Sequence, residues 1–307
     1  MKKGIFSILL VFVAFISNGC SIKGMALNAV GDALSGQGTV FTSDNDPDLV
    51  KDALPFSLKL YESVLSGAPE HKGLILSTAS AFTMYAYAFI QMEADTVDKE
   101  DHEKAKFLRS RAEKLYLRGR DYALKGLELN HRGFNELLKK DYKAAIALTN
   151  KEDVPLLYWC GSSWVAALTT NGDLQLLQES NIGAAMVGRV LELDEAFDNG
   201  SAHDFFISWE GSRSEAMGGS EKRAREHFAK AIEINKGKKV STYLSLASIA
   251  QGKQDVKEFK ELVAKALAID VDQNPDSRLS NIIFQRKARS MLDNIDDLFL
   301  LEESETK

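Results

Sequence analysis

The chain is predicted to be all-α, an array of helical hairpins with extra helices at both ends. Four segments of one pattern recur: "GRDYALKGLELN" ending at Asn130, "GAAMVGRVLELD" at Asp194, "AREHFAKAIEIN" at Asn235 and "FKELVAKALAID" at Asp270. Each carries small or apolar residues at helical spacing, a basic residue, then aliphatic-x-aliphatic and an Asn or Asp. Only five prolines interrupt 307 residues, and the alternation of a half-buried strand is hard to find. Helices are the reading that remains.

The last two copies end 35 residues apart, close to the tetratricopeptide period of about 34. Ala224, Phe228 and Ala231 fit the second helix of that repeat. Earlier spacings are longer, so the array is irregular, with lengthened helices or filled loops. A first helix precedes each copy. Two of these, "LILSTASAFTMYAYAFIQM" (Leu74 to Met92) and "VPLLYWCGSSWVAALTTN" (Val154 to Asn171), contain no charge. The first approaches the roughly 20 residues of a bilayer span. Its Ser, Thr, Ala and aromatic content instead reads as an inner helix buried on most sides. The other two first helices are "SAHDFFISWEGSRSEAM" and "VSTYLSLASIAQG".

Punctuation agrees with hairpins. Pro155 follows the acidic "KED" at a helix start, and Gly237 follows "EIN" as a helix stop. Pro275 precedes a final amphipathic helix through Leu292. Ile283, Met291, Leu292, Ile295 and Leu298 stand at helical spacing there. That segment is expected at the array's exposed end, capping the last hairpin or reaching into a partner.

The N-terminus carries a different signal. "MKKG" is followed by a nearly continuous apolar run from Ile5 to Ile16, the pattern of a secretory leader and too short to span. "SNGC" then points to lipoprotein processing, with Cys20 acylated as the first mature residue. Gly19 suits that site, whereas Ser17 stands where Leu is usual. An ordinary leader leaving Cys20 as a free thiol is the alternative. Ser21, not Asp, follows the cysteine and favours the outer membrane. The expected organisation is a signal peptide at 1–19, a lipidated tether and loop at 20–47, a helical domain at 48–300 and a charged tail at 301–307.

Composition narrows the chemistry. Charged residues make up 27% and the net charge is −6, with no dense Lys/Arg cluster, which argues against nucleic acid. Cys160 has no partner besides Cys20 and reads as a small buried residue. His71, His102, His131, His203 and His227 are scattered, without HExxH or zinc spacing. "WCGSSW" lacks the G-x-S-x-G pattern of a nucleophile elbow. Asp44, Asp46 and Asp48 alternate as in a calcium loop, yet the glycine is missing and Pro55 stands where a bidentate Glu is needed. Those acids read as helix caps. Glu93 and Asp95 belong to an acidic loop or rim a cavity. No catalytic residue, metal or cofactor is expected.

The aromatics are the candidate binding residues: Tyr85, Tyr87 and Phe89 on one uncharged helix, Tyr158, Trp159 and Trp164 on the other, then Phe205, Phe206 and Trp209. Each is either core or part of a concave surface or tunnel formed by inner helices. Tyr and Trp offer apolar area with a polar tip, which suits a ligand with a carboxylate or head group.

Several long stretches resemble one family. "GTVFTSDNDPDLVKDALPFSLKLYESVLSGAPEHKGL", "YAYAFIQMEAD", "LYLRGRDYALKGLE", "KEDVPLLYW" and "HDFFISWEGSRSEAMGGSEKRAREHF" are similar to the TatT components associated with TRAP (tripartite ATP-independent periplasmic) transporters. The resemblance implies a periplasmic lipoprotein of tetratricopeptide-like helices that associates with the solute-binding P component. It further implies oligomers, trimers among them, with an apolar channel through each protomer for a hydrophobic ligand such as a lipid or organic acid. The competing expectation is a generic envelope scaffold that grips peptides or other lipoproteins without a small ligand.

Overall fold

Each repeated segment becomes the second helix of a hairpin in the computed structural model, which describes residues 19–36, 38–170 and 179–299. The leader, expected over 1–19, falls outside the described residues up to position 18, and so does the charged tail at 301–307. Three helices come first: α1 (Gly19–Ser35), α2 (Gly38–Thr42) and α3 (Pro47–Gly67). The first hairpin runs up α4 (Lys72–Tyr85), a π-helical segment (Ala86–Gln91) and α5 (Met92–Val97), then returns along α6 (His102–Asn130). Two short helices, α7 (Phe134–Lys140) and α8 (Tyr142–Ala147), fill the gap before the second hairpin. They account for the long early spacing of the repeats.

The second hairpin pairs α9 (Val154–Thr170) with α10 (Ser180–Leu193). The third pairs α11 (Phe197–Gly211) with α12 (Glu221–Asn235), and the fourth α13 (Val240–Gly252) with α14 (Val256–Leu267). Helices α15 (Arg278–Asp293) and α16 (Ile295–Leu298) follow. Among the described residues there is no strand. Helix starts are set by short polar side chains that accept orphan backbone N–H groups. Asp46 caps α3 with Pro47 behind it, Asp101 caps α6, Ser220 caps α12 and Asp255 caps α14. The alternating acids at 44, 46 and 48 are thus spent on turn and cap: Asp44 accepts from Asp46 N, and Asp46 from Asp48 N and Leu49 N.

The inner helix Lys72–Val97 is long and apolar enough to cross a membrane by length and composition, but 61% of its most apolar window is buried in protein. Leu74, Ile75, Ala79 and Ala86 are wholly enclosed.

The segment expected as tether and loop is largely helical. Leu27, Gly31 and Leu34 lie at i, i+4 and i+7 of α1, and this stripe seats on α3 and α4. Leu27 fills the space above Gly67, and His71 lies against Gly31. The His71 ring clips the two parts together. Its Nδ1 accepts from Leu74 N at the start of α4, so Nε2 carries the proton and donates to Asn28 O at 3.2 Å. Glycines and serines around that stripe made it look like a linker.

A second difference concerns the end of the chain. Helix α15 is not an exposed terminus, because it packs between the last hairpin and the first. Its Leu279 and Ile283 join the core formed by Val50, Leu54 and Phe82, whereas Ala288 belongs to the core of Phe259 and Val263. Arg278 donates to Ser43 O at 3.1 Å, and Arg286 forms a two-point pair with Asp48, 3.1 Å on each side. Lys99 and Asp297 make a further ion pair across the same seam. Burial of Leu279 and Ile283 stabilises the closure by about 1.5–3 kcal/mol each. The exposed ion pairs add little individually.

Hairpin α11–α12 contains a histidine pair. His203 Nδ1 and His227 Nδ1 are 2.8 Å apart, so one ring donates and the other accepts, while His203 Nε2 faces Glu195 at 3.1 Å. His227 stacks on Phe206 with ring centroids 5.1 Å apart. Burial, together with the neighbouring His203, holds the His227 pKa below its usual 6.5, against the opposite pull of Glu210 and Glu226. An unfolded chain therefore takes up a proton at a pH where the folded chain resists it. Stability is full above about pH 6.5 and falls as the pH drops from there towards the lowered folded value. Urea midpoints of the wild type should decline as the pH falls below about 6.5, and His227→Gln should flatten that decline. Equal slopes for the two proteins would refute the assignment.

Helices α9 and α10 touch backbone to backbone at Gly161 and Gly183. A Cβ on Gly161 would lie 2.4 Å from Gly183 O and 2.8 Å from a Val187 methyl. Gly161→Ala is therefore expected to cost about 1–3 kcal/mol. A Cβ on Gly24 in α1 meets nothing within 4 Å, so Gly24→Ala should be neutral or mildly stabilising. Thermal melts of both variants check this, and equal melting temperatures would contradict the close approach.

Candidate functional site

The π segment decides where the first aromatic group points. Opening the helix from i+4 to i+5 bonding shifts the phase of the residues that follow. Tyr85 and Phe89 pack on each other in the first core, with centroids 5.9 Å apart. Tyr87 packs at the edge of that core and stays partly exposed. It meets Phe284 of α15 at 5.7 Å, and Lys287 of α15 donates to its hydroxyl at 3.4 Å. Tyr116 of α6 is buried beside this segment and donates to Gln91 Oε1 at 2.5 Å.

On α9, Tyr158 makes an edge contact with Trp159 at 5.1 Å and a tilted one with Phe197 at 5.4 Å. Burial pushes the Tyr158 phenol up to about 12. Trp164 is buried beneath the Arg120 guanidinium, 4.9 Å from its ring, and donates through Nε1 to Glu179 at 3.2 Å. Cys160 has no exposed surface, and burial pushes its thiol well up. It is packing, as its apolar flanks suggested, and unsuited to nucleophilic chemistry.

The third group depends on an unusual helix start. Asp198, Asn199 and Gly200 all adopt left-handed backbone angles, with φ of 46°, 55° and 80°. The two non-glycine positions store of order 1–3 kcal/mol each. A polar network holds them. Ser201 donates to Asp198, and Lys239, just before α13, contacts Ser201 while donating to Asp198 O at 3.2 Å. Lys239 also pairs with Asp204 at 3.2 Å, and Asp204 accepts from Thr242 at 2.6 Å and Ser241 at 3.0 Å. Burial alone would lower the Lys239 pKa, but Asp204 and Asp198 hold it above its usual value. This fixed start aims the rest of α11. Phe205 stacks on Trp209 at 6.1 Å and meets Phe206 edge-on at 5.2 Å. Arg213 covers Trp209 at 4.0 Å, its donors taken by Trp209 O and Met217 O.

The nine aromatics named from sequence thus divide by environment. Tyr85, Phe89 and Trp164 are buried in cores, while Tyr87, Tyr158, Trp159, Phe205, Phe206 and Trp209 keep accessible surface. They form three groups on separate hairpins. Glu93 is engaged by Lys51 at 3.1 Å and Lys104 at 3.2 Å, and Asp95 by Arg109 at 3.6 Å. His131 and Asn130 pair with the buried Asp153 at 2.7 and 2.8 Å. Among the described residues no group of three or more His, Cys, Asp or Glu side chains could hold a metal ion. Cys20 lies in the first turn of α1, with its side chain outside the described set. The residue that sequence reading missed is Lys287. Its signal was a lone cation at i+4 from Ile283 and i−4 from Met291, inside an otherwise apolar stripe.

Comparison with known proteins places this geometry. An uncharacterized protein of Treponema pallidum (strain Nichols) is 30% identical over 305 residues, covering 92% of this chain and 94% of the relative. The sequence pattern of the TRAP transporter T-component family (TAtT) matches residues 43–299, from the loop before α3 to the end of the described chain. That match supports an accessory role in TRAP transport, and the chain belongs to the TRAP transporter T-component family.

Proposed function

We propose that this protein is a periplasmic lipoprotein, anchored through Cys20 to a bacterial membrane, with the outer membrane favoured. Its helical body docks the solute-binding P component of a TRAP transporter and passes an apolar or organic-acid ligand along its inner helices. Assembly as a homotrimer belongs to the same reading. The supporting observation is the placement of Tyr87, Tyr158, Trp159, Phe205, Phe206 and Trp209 with accessible surface in an array whose helix α15 packs back on α3 and the first hairpin. Half-buried aromatic side chains at the edges of the cores suit an apolar guest. Anchoring keeps the body near one membrane and raises its local concentration for partners there.

Cell fractionation of a Cys20→Ser variant tests the anchor, and the expected result is loss from the membrane fraction. Retention to the same extent as wild type would remove lipidation at Cys20 from the reading. Affinity capture from a periplasmic extract, using the full mature chain, should recover a TRAP solute-binding protein. Capture of other lipoproteins or peptides in its place would turn the reading towards an envelope scaffold. Native mass spectrometry of the delipidated body should show a co-purified apolar molecule, and an empty body would count against ligand passage.

A further inference from the structure

Lys287 stands at the seam where the array closes. It lies one turn from Ile283 and one turn from Met291 on α15, partly buried and with a remaining opening to solvent. Its Nζ is 3.4 Å from the Tyr87 oxygen and 5.7 Å from the centroid of that ring. Among the described residues no carboxylate comes within 4.0 Å of it; Asp95, the acid near this seam, is turned to Arg109. The enclosed Lys239 provides a contrast, since it has Asp204 at 3.2 Å. Holding an ammonium in protein with no carboxylate in contact is costly, and here Tyr87 and the more distant Asp95 are what offset it. A bound anion would offset that cost further.

The neighbours of Lys287 are donors as well. Because the ammonium donates to the Tyr87 oxygen, the phenolic hydrogen remains free to donate elsewhere, and among the described residues it has no acceptor. Gln91, one turn further along the π segment, uses its Oε1 to accept from Tyr116, which leaves its amide hydrogens without an acceptor among the described residues. Donor groups whose own oxygens are already engaged complement an oxygen-rich anion. The π segment is an independent pointer, since such insertions gather at functional positions, and here it sets the phase of Tyr87 against α15. Phe284, 5.7 Å from Tyr87, adds an apolar wall.

We propose that Lys287 and Tyr87, with Gln91 beside them, bind the carboxylate or phosphate head of an amphipathic ligand. The inference rests on the ligand-passing role proposed above and adds the charge of the head group and the residues that read it. The test titrates the mature chain, carrying Cys20→Ser to avoid detergent, with decanoate, decyl phosphate, decanol, acetate and inorganic phosphate by calorimetry. Decanoate or decyl phosphate should bind at least about tenfold tighter than decanol. Their relative affinities then tell a carboxylate site from a phosphate site. Lys287→Met should erase the preference and leave decanol binding unchanged, whereas Lys287→Arg should keep it. Should Lys287→Met lower the melting temperature, Tyr87→Phe carries the test, with a several-fold loss for the anions alone. Equal binding of decanoate and decanol would overturn the inference and leave ligand passage standing. Binding of neither would overturn both. Acetate or phosphate as tight as the decyl anions would overturn the amphipathic assignment.

Discussion

Everything in this molecule depends on one helix being shared by two cores. Leu279 and Ile283 of α15 are buried with the first hairpin, and Ala288 with the last. In an open solenoid each repeat touches only its neighbours, and terminal repeats need a polar outer face. Here the two ends cover each other. The ion pairs Arg286–Asp48 and Lys99–Asp297 specify how the ends meet, but the apolar contacts supply most of the stabilisation. Closure also creates the contact between Tyr87 and α15, which exists only because residues 200 positions apart are held side by side.

Buried polar networks play a complementary part. Asp153 is almost completely enclosed, yet it accepts from Asn150 N, Asn130 and His131, so the start of α9 is fixed by hydrogen bonds and not by apolar packing. Burial would raise the Asp153 pKa, but those bonds outweigh it and hold the group below its ordinary value. Lys239 does the same for the left-handed start of α11. A satisfied network of this sort is rigid and intolerant of losing one member, because each remaining partner would be left buried and unpaired. The aromatics of α9 and α11 inherit their positions from these two clusters.

Much of the fold was legible because the repeat endings and the uncharged inner helices are properties of contiguous sequence. The four "LELN"-type segments became α6, α10, α12 and α14, and the charge-free stretches became the inner helices. What escaped notice depended on non-local contact or subtle phase. The π insertion changes helix phase without any change in residue type. The stripe in α1 is thin, and its glycines resemble a linker until His71 and Leu27 are seen to need them small. The apolar residues of α15 were visible, but a periodic stripe cannot say which of two distant cores it will enter. Lys287 was overlooked for the same reason, since its surroundings come from a helix 200 residues away.

The docking of α1 has a mechanical consequence. A free segment of the 28 residues from 20 to 47 would behave as a coil of roughly 30 Å average span, and would reach about 90 Å when pulled straight. Folded as α1 and clipped through His71, most of that slack is gone, leaving a rod of about 25 Å laid along the body. With a lipid on Cys20, at the first turn of that rod, the stand-off from the bilayer would be short and nearly constant, and rotation about the attachment point would be restricted. The body would present one face to the membrane and the opposite face to the aqueous space. A partner approaching from that space would then search over position alone, with orientation already set by the first turn of the chain.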